Sequence, residues 1–231
     1  MRISQWLEIV AVVTSGLVFA TDPYQSLRER MVAEQIEPRG VRTPSVLSAM
    51  RTVPRHLFVP PGMTWLAYSD QPLPIGAGQT ISQPAIVALM TDLLDVHRSD
   101  SVLEIGTGSG YQAAVLSLLA AKVFTIEIIP SLGQEAAKRL QTLGYSNVEV
   151  RIGNGYAGWP ERAPFDKIVL TAAPAEIPQA LIDQLKAGGK LVAPVGPEFG
   201  EQQLVVLDKS HSGHVSERRV IPVAFVPMVN E

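Results

Sequence analysis

Cysteine is absent from the 231 residues, which excludes disulfides, thiolate metal sites and cysteine nucleophiles together. Charge is sparse as well: Asp, Glu, Lys and Arg make up 18% of the chain and leave a net charge of −3. No run of Lys or Arg occurs. The footprint of a polyanion-binding surface is therefore missing, and nucleic acid is not expected as a partner. The four histidines, His56, His97, His211 and His214, show no metal-ligand spacing, and the last two flank Ser212-Gly213 as in a polar turn. No metal is expected. Internal repeats and low-complexity stretches are also lacking.

What is present is enough apolar material for one sizeable core, 46% of the residues. One domain is expected from residue 21 onward. Residues 1 to 20 read differently. Arg2 precedes the apolar run Trp6 to Val13, then Gly16 to Ala20, with Val18 and Ala20 as small residues before Thr21-Asp22-Pro23. This is the pattern of a cleavable leader, although Glu8 interrupts it and only one basic residue precedes it. The alternatives are a short packed N-terminal helix or a misplaced start. The run is short for a transmembrane helix, and no stable membrane association is expected. A cytoplasmic location is the expectation, with a periplasmic or secreted one if the leader functions.

Downstream, Tyr24 to Ile36 reads as a helix with Leu27, Met31 and Ile36 on one face. A second helix begins at Pro44 behind Thr43, with Val46, Leu47 and Met50 as its stripe. Val53 to Gly78 is rich in Pro and Gly and reads as irregular; so long a stretch in a compact domain tends to be functional. A third helix covers 84 to 95. From residue 101 the rhythm becomes strand, helix, strand. Strands are expected at 102–105, 122–126, 148–152, 165–170 and 190–195, with helices at 111–120, 132–143 and 178–185. Such alternation implies an α/β fold with a doubly wound, mostly parallel sheet and helices on both faces. Residues 203–209 and 215–227 have no helix between them and read as an antiparallel hairpin at the sheet edge.

The densest signal is Ser101-Val-Leu-Glu-Ile-Gly-Thr-Gly-Ser-Gly110. An apolar strand runs into three alternating glycines, which let the backbone turn sharply and a ligand lie against it. Glu127 closes the next strand about 20 residues on, where an acid can hold ribose hydroxyls. A dinucleotide site, however, wants G-x-G-x-x-G with a helix N-terminus facing a pyrophosphate. Here Glu104 precedes the first glycine and no Lys or Arg occurs between Glu104 and Lys122. An acid without a nearby cation suits a nucleoside whose far end is positive, and S-adenosylmethionine fits that description. Ligands of such sheets bind at the carboxyl ends of the strands. There the Glu104–Gly110, Glu127-Ile128, Gly153-Asn154-Gly155 and Thr171–Pro174 segments would meet the amino acid moiety, the ribose, the adenine and the reacting end.

A second constellation lies upstream: Pro72-Leu-Pro-Ile-Gly-Ala-Gly-Gln-Thr-Ile-Ser-Gln-Pro84. Thr80 and Ser82 offer hydroxyls just before a helix, where Ser82 is equally suited to be an ordinary cap. This segment resembles the signature of the protein-L-isoaspartate (D-aspartate) O-methyltransferase family. So do Met31-Val-x-x-Gln-Ile36, Val53-Pro-Arg-His-x-Phe58, Leu103 to Gln112 and Pro222-Val-x-Phe-Val-Pro227, in the expected order over residues 24 to 229. The resemblance implies the class I S-adenosylmethionine-dependent methyltransferase fold, with extra N-terminal helices and a rearranged C-terminal edge. It implies Ser82 as the active-site residue, with Gln79, Thr80, Ile81 and Val87 around the substrate. Glu104, Gly106, Thr107, Gly108, Ser109, Glu127, Ile128, Asn154 and Gly155 would hold the cofactor. Asn154 stands where the family usually has Asp; its side-chain carbonyl still suits an adenine amino group.

The implied acceptor is the free carboxylate of an L-isoaspartyl or D-aspartyl residue in a damaged protein, and the implied enzyme acts as a monomer on such proteins and peptides. A class I methyltransferase acting on another carboxylate or a small molecule is the alternative. A nicotinamide-dependent oxidoreductase is disfavoured by the glycine spacing and by the lack of a Tyr-x-x-x-Lys pair, and a non-catalytic binding module finds mild support in Asn154 alone.

Overall fold

The computed structural model describes residues 22–197 and 199–230; the leader expected over residues 1–20 lies outside them. Seven strands form one sheet. They are β3 (Ser101–Ile105), β4 (Lys122–Glu127), β5 (Val148–Ile152), β6 (Phe165–Leu170), β7 (Leu185–Val195), β8 (Gln202–Lys209) and β9 (Val215–Val223). A separate two-stranded hairpin pairs β1 (Leu73–Gly76) with β2 (Gln79–Ile81). The large sheet runs β5-β4-β3-β6-β7-β8-β9. Pairings from β5 through β7 are parallel and the last two antiparallel. The winding reverses between β3 and β6, and crevices for ligands open at such a reversal.

Alternation along the strands feeds two apolar cores. Val102, Val123, Val169 and Val192 join one, and Leu103, Phe124, Ile168 and Leu191 the other. This is the period-2 pattern of strands buried on both faces. The first core is covered by α2 (Pro44–Thr52), α3 (Pro84–Leu94) and α4 (Tyr111–Ser117). The second includes Leu181 of α6 (Gln179–Gln184), while α5 (Pro130–Thr142) follows β4. Helices α2, α3 and α5 each carry Pro in the first turn, where its missing N–H costs nothing. Among the described residues no helix is long and apolar enough to cross a membrane.

Several boundaries differ from the sequence expectation. The first helix is not continuous: α1 (Gln25–Met31) passes into a wide turn over Val32–Ile36, closed by Glu37 N–H bonding to Val32 O, and then a tight turn over Glu37–Arg39. Pro38 has no N–H to donate and crowds the carbonyl four residues back, so the helix loosens ahead of it. The segment 53–78 is more ordered than its Pro and Gly content implies. It holds two 3₁₀ turns, Arg55–Phe58 and Pro61–Leu66, before the β1–β2 hairpin. That hairpin turns through Gly76, Ala77 and Gly78, all at positive φ. Strand β7 starts at Leu185 rather than at 190 and takes in an irregularity next to Gly188 at φ 81. Helix α4 stops at Ser117, and β9 stops at Val223, four residues short of the expected end.

Candidate active site

The ends of β3, β4 and β6 converge at the reversal in strand order. Gly106 N–H donates to Ile126 O (2.8 Å) and Thr107 N–H to the same carbonyl (3.2 Å). Across the other seam, Thr171 N–H donates to Ile105 O (2.9 Å) and its hydroxyl to Gly106 O (2.5 Å). The glycine loop is thus pinned on both sides. Gly106, Gly108 and Gly110 sit at φ 98, 51 and 87, a region that side chains rarely enter. At Gly106 space forbids a side chain too, since a Cβ would lie 2.5 Å from Thr171 Oγ1.

Two acids stand here in different surroundings. Glu127 at the end of β4 accepts from Gly108 N–H (2.7 Å) and Ile129 N–H (3.0 Å). It ties the loop to the second strand and keeps lone pairs for a ligand, because a carboxylate has about four acceptor sites. Glu104 has no such support. It is fully buried, and neither carboxylate oxygen has a hydrogen-bond partner. Burial pushes its pKa up to about 8; the nearby Thr125 hydroxyl, outside hydrogen-bond geometry, pulls it down, and the like charge of Glu127 adds to the rise. A buried, unpaired acid costs free energy until a cation or donor meets it.

Both acids open on one cavity. Its wall includes Gln79, Thr80, Ile81, Ser82, Val87, Glu104, Gly106, Thr107, Gly108, Ser109, Glu127, Ile128 and Gly155. The hairpin brings the upstream segment there, with Ile75 against the glycine loop 3.3 Å from where a Gly108 Cβ would be. Of the individual site residues that the resemblance implies, Asn154 alone does not line it; Gly110, Gly153, Ala173 and Pro174 of the expected strand-end segments also stand outside it. Asn154 Oδ1 caps the turn over Gly155–Ala157 by accepting from Tyr156 N–H (2.8 Å), and its Nδ2 donates to Asn230 O (3.0 Å). Gly155 does line it, packed so closely on Ile105 that a Cβ would overlap that side chain. Met90, Tyr111, Gln112, Thr171 and the tail Val226–Val229 complete the wall. The tail is held by Ala173 N–H to Val226 O and Met228 N–H to Ala173 O, both 2.8 Å. No periodic signal marks a tail seated by two such bonds; the adjacent Pro222-Val-x-Phe-Val-Pro227 motif was the only sequence hint.

A second groove meets the first cavity at Thr80, Ser82, Thr171 and Val226. It continues past Pro72, Gln83 and Ile86 to the chain from Ile221 to Phe225 and to Arg39. Among the described residues, the charged side chains lining the first cavity are Glu104 and Glu127, and Arg39 is the one lining the groove. The first chamber thus carries two acids, while Arg39, the cation of the groove, is already matched by Asp70. Among the described residues no group of three or more His, Asp or Glu is placed to hold a metal ion.

Gly106→Ala combines backbone strain with a clash, and is expected to lower stability by about 2 kcal/mol or more. Urea denaturation of Gly106→Ala and of the double variant with Thr171→Ala checks this: the second change should return part of the loss, and equal stabilities would refute the clash.

Comparison with known proteins identifies the family. A model of the family described as protein-L-isoaspartate(D-aspartate) O-methyltransferase matches residues 26–231. A protein-L-isoaspartate O-methyltransferase 1 of Nitrosospira multiformis is 55% identical over 207 residues, covering 89% of this chain and 88% of its own. The Gloeobacter violaceus protein-L-isoaspartate O-methyltransferase is also 55% identical, over 201 residues, covering 87% of this chain and 98% of its own. A solved protein-L-isoaspartate O-methyltransferase superposes with a TM-score of 0.78 at 28% identity, over 87% of this chain and 65% of that one. A Plasmodium falciparum structure of the same designation, solved with S-adenosyl-L-homocysteine, shares the fold at 24% identity and a TM-score of 0.75, over 90% of this chain and 99% of that one. The sheet, with its antiparallel β7–β9 edge, is that of the class I S-adenosylmethionine-dependent methyltransferases. The match runs from the first helix to the end of the sequence, and on that ground the chain belongs to the protein-L-isoaspartate(D-aspartate) O-methyltransferase family.

Proposed function

We propose that this chain transfers a methyl group from S-adenosylmethionine to the free carboxylate of L-isoaspartyl and D-aspartyl residues in damaged proteins, beginning their repair, with Ser82 orienting the acceptor. The observation that carries the cofactor assignment is Glu104, a buried carboxylate without a protein partner beside a pinned glycine loop. It fits the α-ammonium end of the donor. Glu127 keeps acceptor capacity for ribose hydroxyls, while Gly106, Thr107, Gly108, Ser109, Ile128 and Gly155 supply the close wall. Asn154 is left out of this set, because both of its polar atoms are engaged outside the cavity.

When bound, the donor supplies a methyl carbon on a sulfonium sulfur, which keeps the bonding electrons as a carboxylate oxygen forms the ester. The acceptor is already an anion, so no strong general base is needed; alignment and exclusion of water remain the protein's task. Ser82 stands where the two chambers join, and this location supports its hydroxyl as the donor to the acceptor carboxylate. Gln79, Thr80, Ile81 and Val87 surround that junction from the hairpin and α3. The groove toward Ile221–Phe225 is suited to an extended peptide gripped by its backbone, as damage in many sequence contexts demands.

Ser82→Ala is expected to lower turnover of an isoaspartyl peptide roughly 10- to 100-fold, with calorimetric affinity for S-adenosylhomocysteine unchanged. The wild type should leave the matching normal aspartyl peptide unmethylated. Unaltered turnover in the variant, or equal labelling of both peptides, would defeat the assignment.

Glu104 sets a pH dependence. Its folded-state pKa of about 8 lies above its ordinary value of 4.5. The free protein therefore holds this proton at pH 7, and pairing with an ammonium expels it. Binding at pH 7 should release about one proton, read by calorimetry in buffers of different ionisation enthalpy. Glu104→Gln should release none and bind more weakly; proton release identical to wild type would exclude Glu104 as the group.

We further read the chain as a monomeric cytoplasmic enzyme, since the donor is made inside cells. Light scattering and cell fractionation check this, and a periplasmic pool with a processed N-terminus would overturn the location.

A further inference from the structure

Ser82 lies between the end of β2 and the start of α3, on a segment only two residues long. What holds that segment comes from elsewhere in the chain. Gln83, at the N-cap position of α3, makes no side-chain cap. Asp70 takes its place from outside the helix: its Oδ1 accepts from the Ala85 N–H (3.1 Å). The main-chain carbonyl of Asp70 accepts from Gln83 Nε2 (3.1 Å), so the Gln83 side of the corner and the first turn of α3 are tied to one residue. The other carboxylate oxygen, Oδ2, makes no hydrogen bond but lies in ion-pair contact with the Arg39 guanidinium. The Asp70 side chain is 12% exposed and that of Arg39 51%. Arg39 ends the tight turn after α1 and lines the groove shared with Ser82.

We propose that Arg39 and Asp70 form a positioning pair for the acceptor site: Asp70 fixes the Ser82 corner against α3, and Arg39 fixes Asp70. The inference rests on the role of Ser82 proposed above. Two features separate it from an ordinary helix cap. The capping residue stands 15 positions before the amide it serves, a long-range bond where a local Ser or Asp would do. Its charge is matched by a residue of the substrate groove, so groove wall and corner move together. Neither Arg39 nor Asp70 lines the cavity of the glycine loop, which predicts a loss confined to the acceptor side.

The test uses the full chain. Asp70→Ala should lower kcat on an isoaspartyl peptide roughly 10- to 100-fold, the scale of a small misplacement of a reacting group. Affinity for S-adenosylhomocysteine should stay at the wild-type value, which also shows that the variant is folded. Asp70→Asn, which keeps an acceptor for Ala85 but loses the charge, and Arg39→Gln should lose less, and Arg39→Lys should regain most of the Arg39→Gln loss. Amide exchange at Ala85, followed by NMR, should quicken about tenfold in Asp70→Ala, as loss of a cap predicts. Full kcat in Asp70→Ala, a parallel fall in S-adenosylhomocysteine affinity, or unchanged exchange at Ala85 would each overturn the pair. A wild type inactive on isoaspartyl peptide would instead overturn the proposed acceptor, while exchange at Ala85 still judges the brace by itself.

Discussion

A carboxyl group buried at the end of the central strand, with no protein partner, is the constraint around which this molecule is built. Glu104 interrupts an otherwise apolar strand and lies at zero exposure. Such a group opposes folding as pH rises toward its elevated pKa, because the unfolded chain releases the proton first. The sheet tolerates it because β3 is held by parallel partners on both sides. A cation or donor beside it offsets that cost.

The two chambers differ in the charges that line them. Two acids line the cavity of the glycine loop, and Arg39 with its partner Asp70 stands at the groove. They meet at Thr80, Ser82, Thr171 and Val226. Thr171 links the parts: its hydroxyl clamps Gly106 O, and its position on the shared wall places it at the seam. Movement of the glycine loop is opposed from both neighbouring strands, which is the kind of preorganisation that alignment-driven transfer requires.

Much of this was legible beforehand for a local reason. The βαβ rhythm, the three glycines with Glu104 and Glu127, and the Thr80–Ser82 segment are short-range patterns. The structure gathers Ser82, Gln79, Thr80, Ile81, Val87 and all the expected cofactor residues but Asn154 around one cavity. Asn154 was read from its place before Gly155, yet its side chain answers to Tyr156 and to Asn230. The loosening after Met31 leaves no mark on the spacing of Leu27, Met31 and Ile36, which runs straight through it. The β1–β2 hairpin was hidden because Pro72, Pro74 and three residues at positive φ mask a strand signal that is only three or four residues long.

The order of elements, the parallel sheet, the antiparallel edge and the nature of the glycine loop were determined by the sequence itself, since periodicity and turn chemistry act within a few residues. Only the tertiary structure decided that Glu104 stands unpaired, that Asp70 rather than Ser82 caps α3, and that the tail Val226–Val229 walls the cavity. Each of these depends on atoms far apart in the chain meeting at hydrogen-bond distance. Burial and partnership belong to the packed ensemble of elements, and no window of sequence contains them.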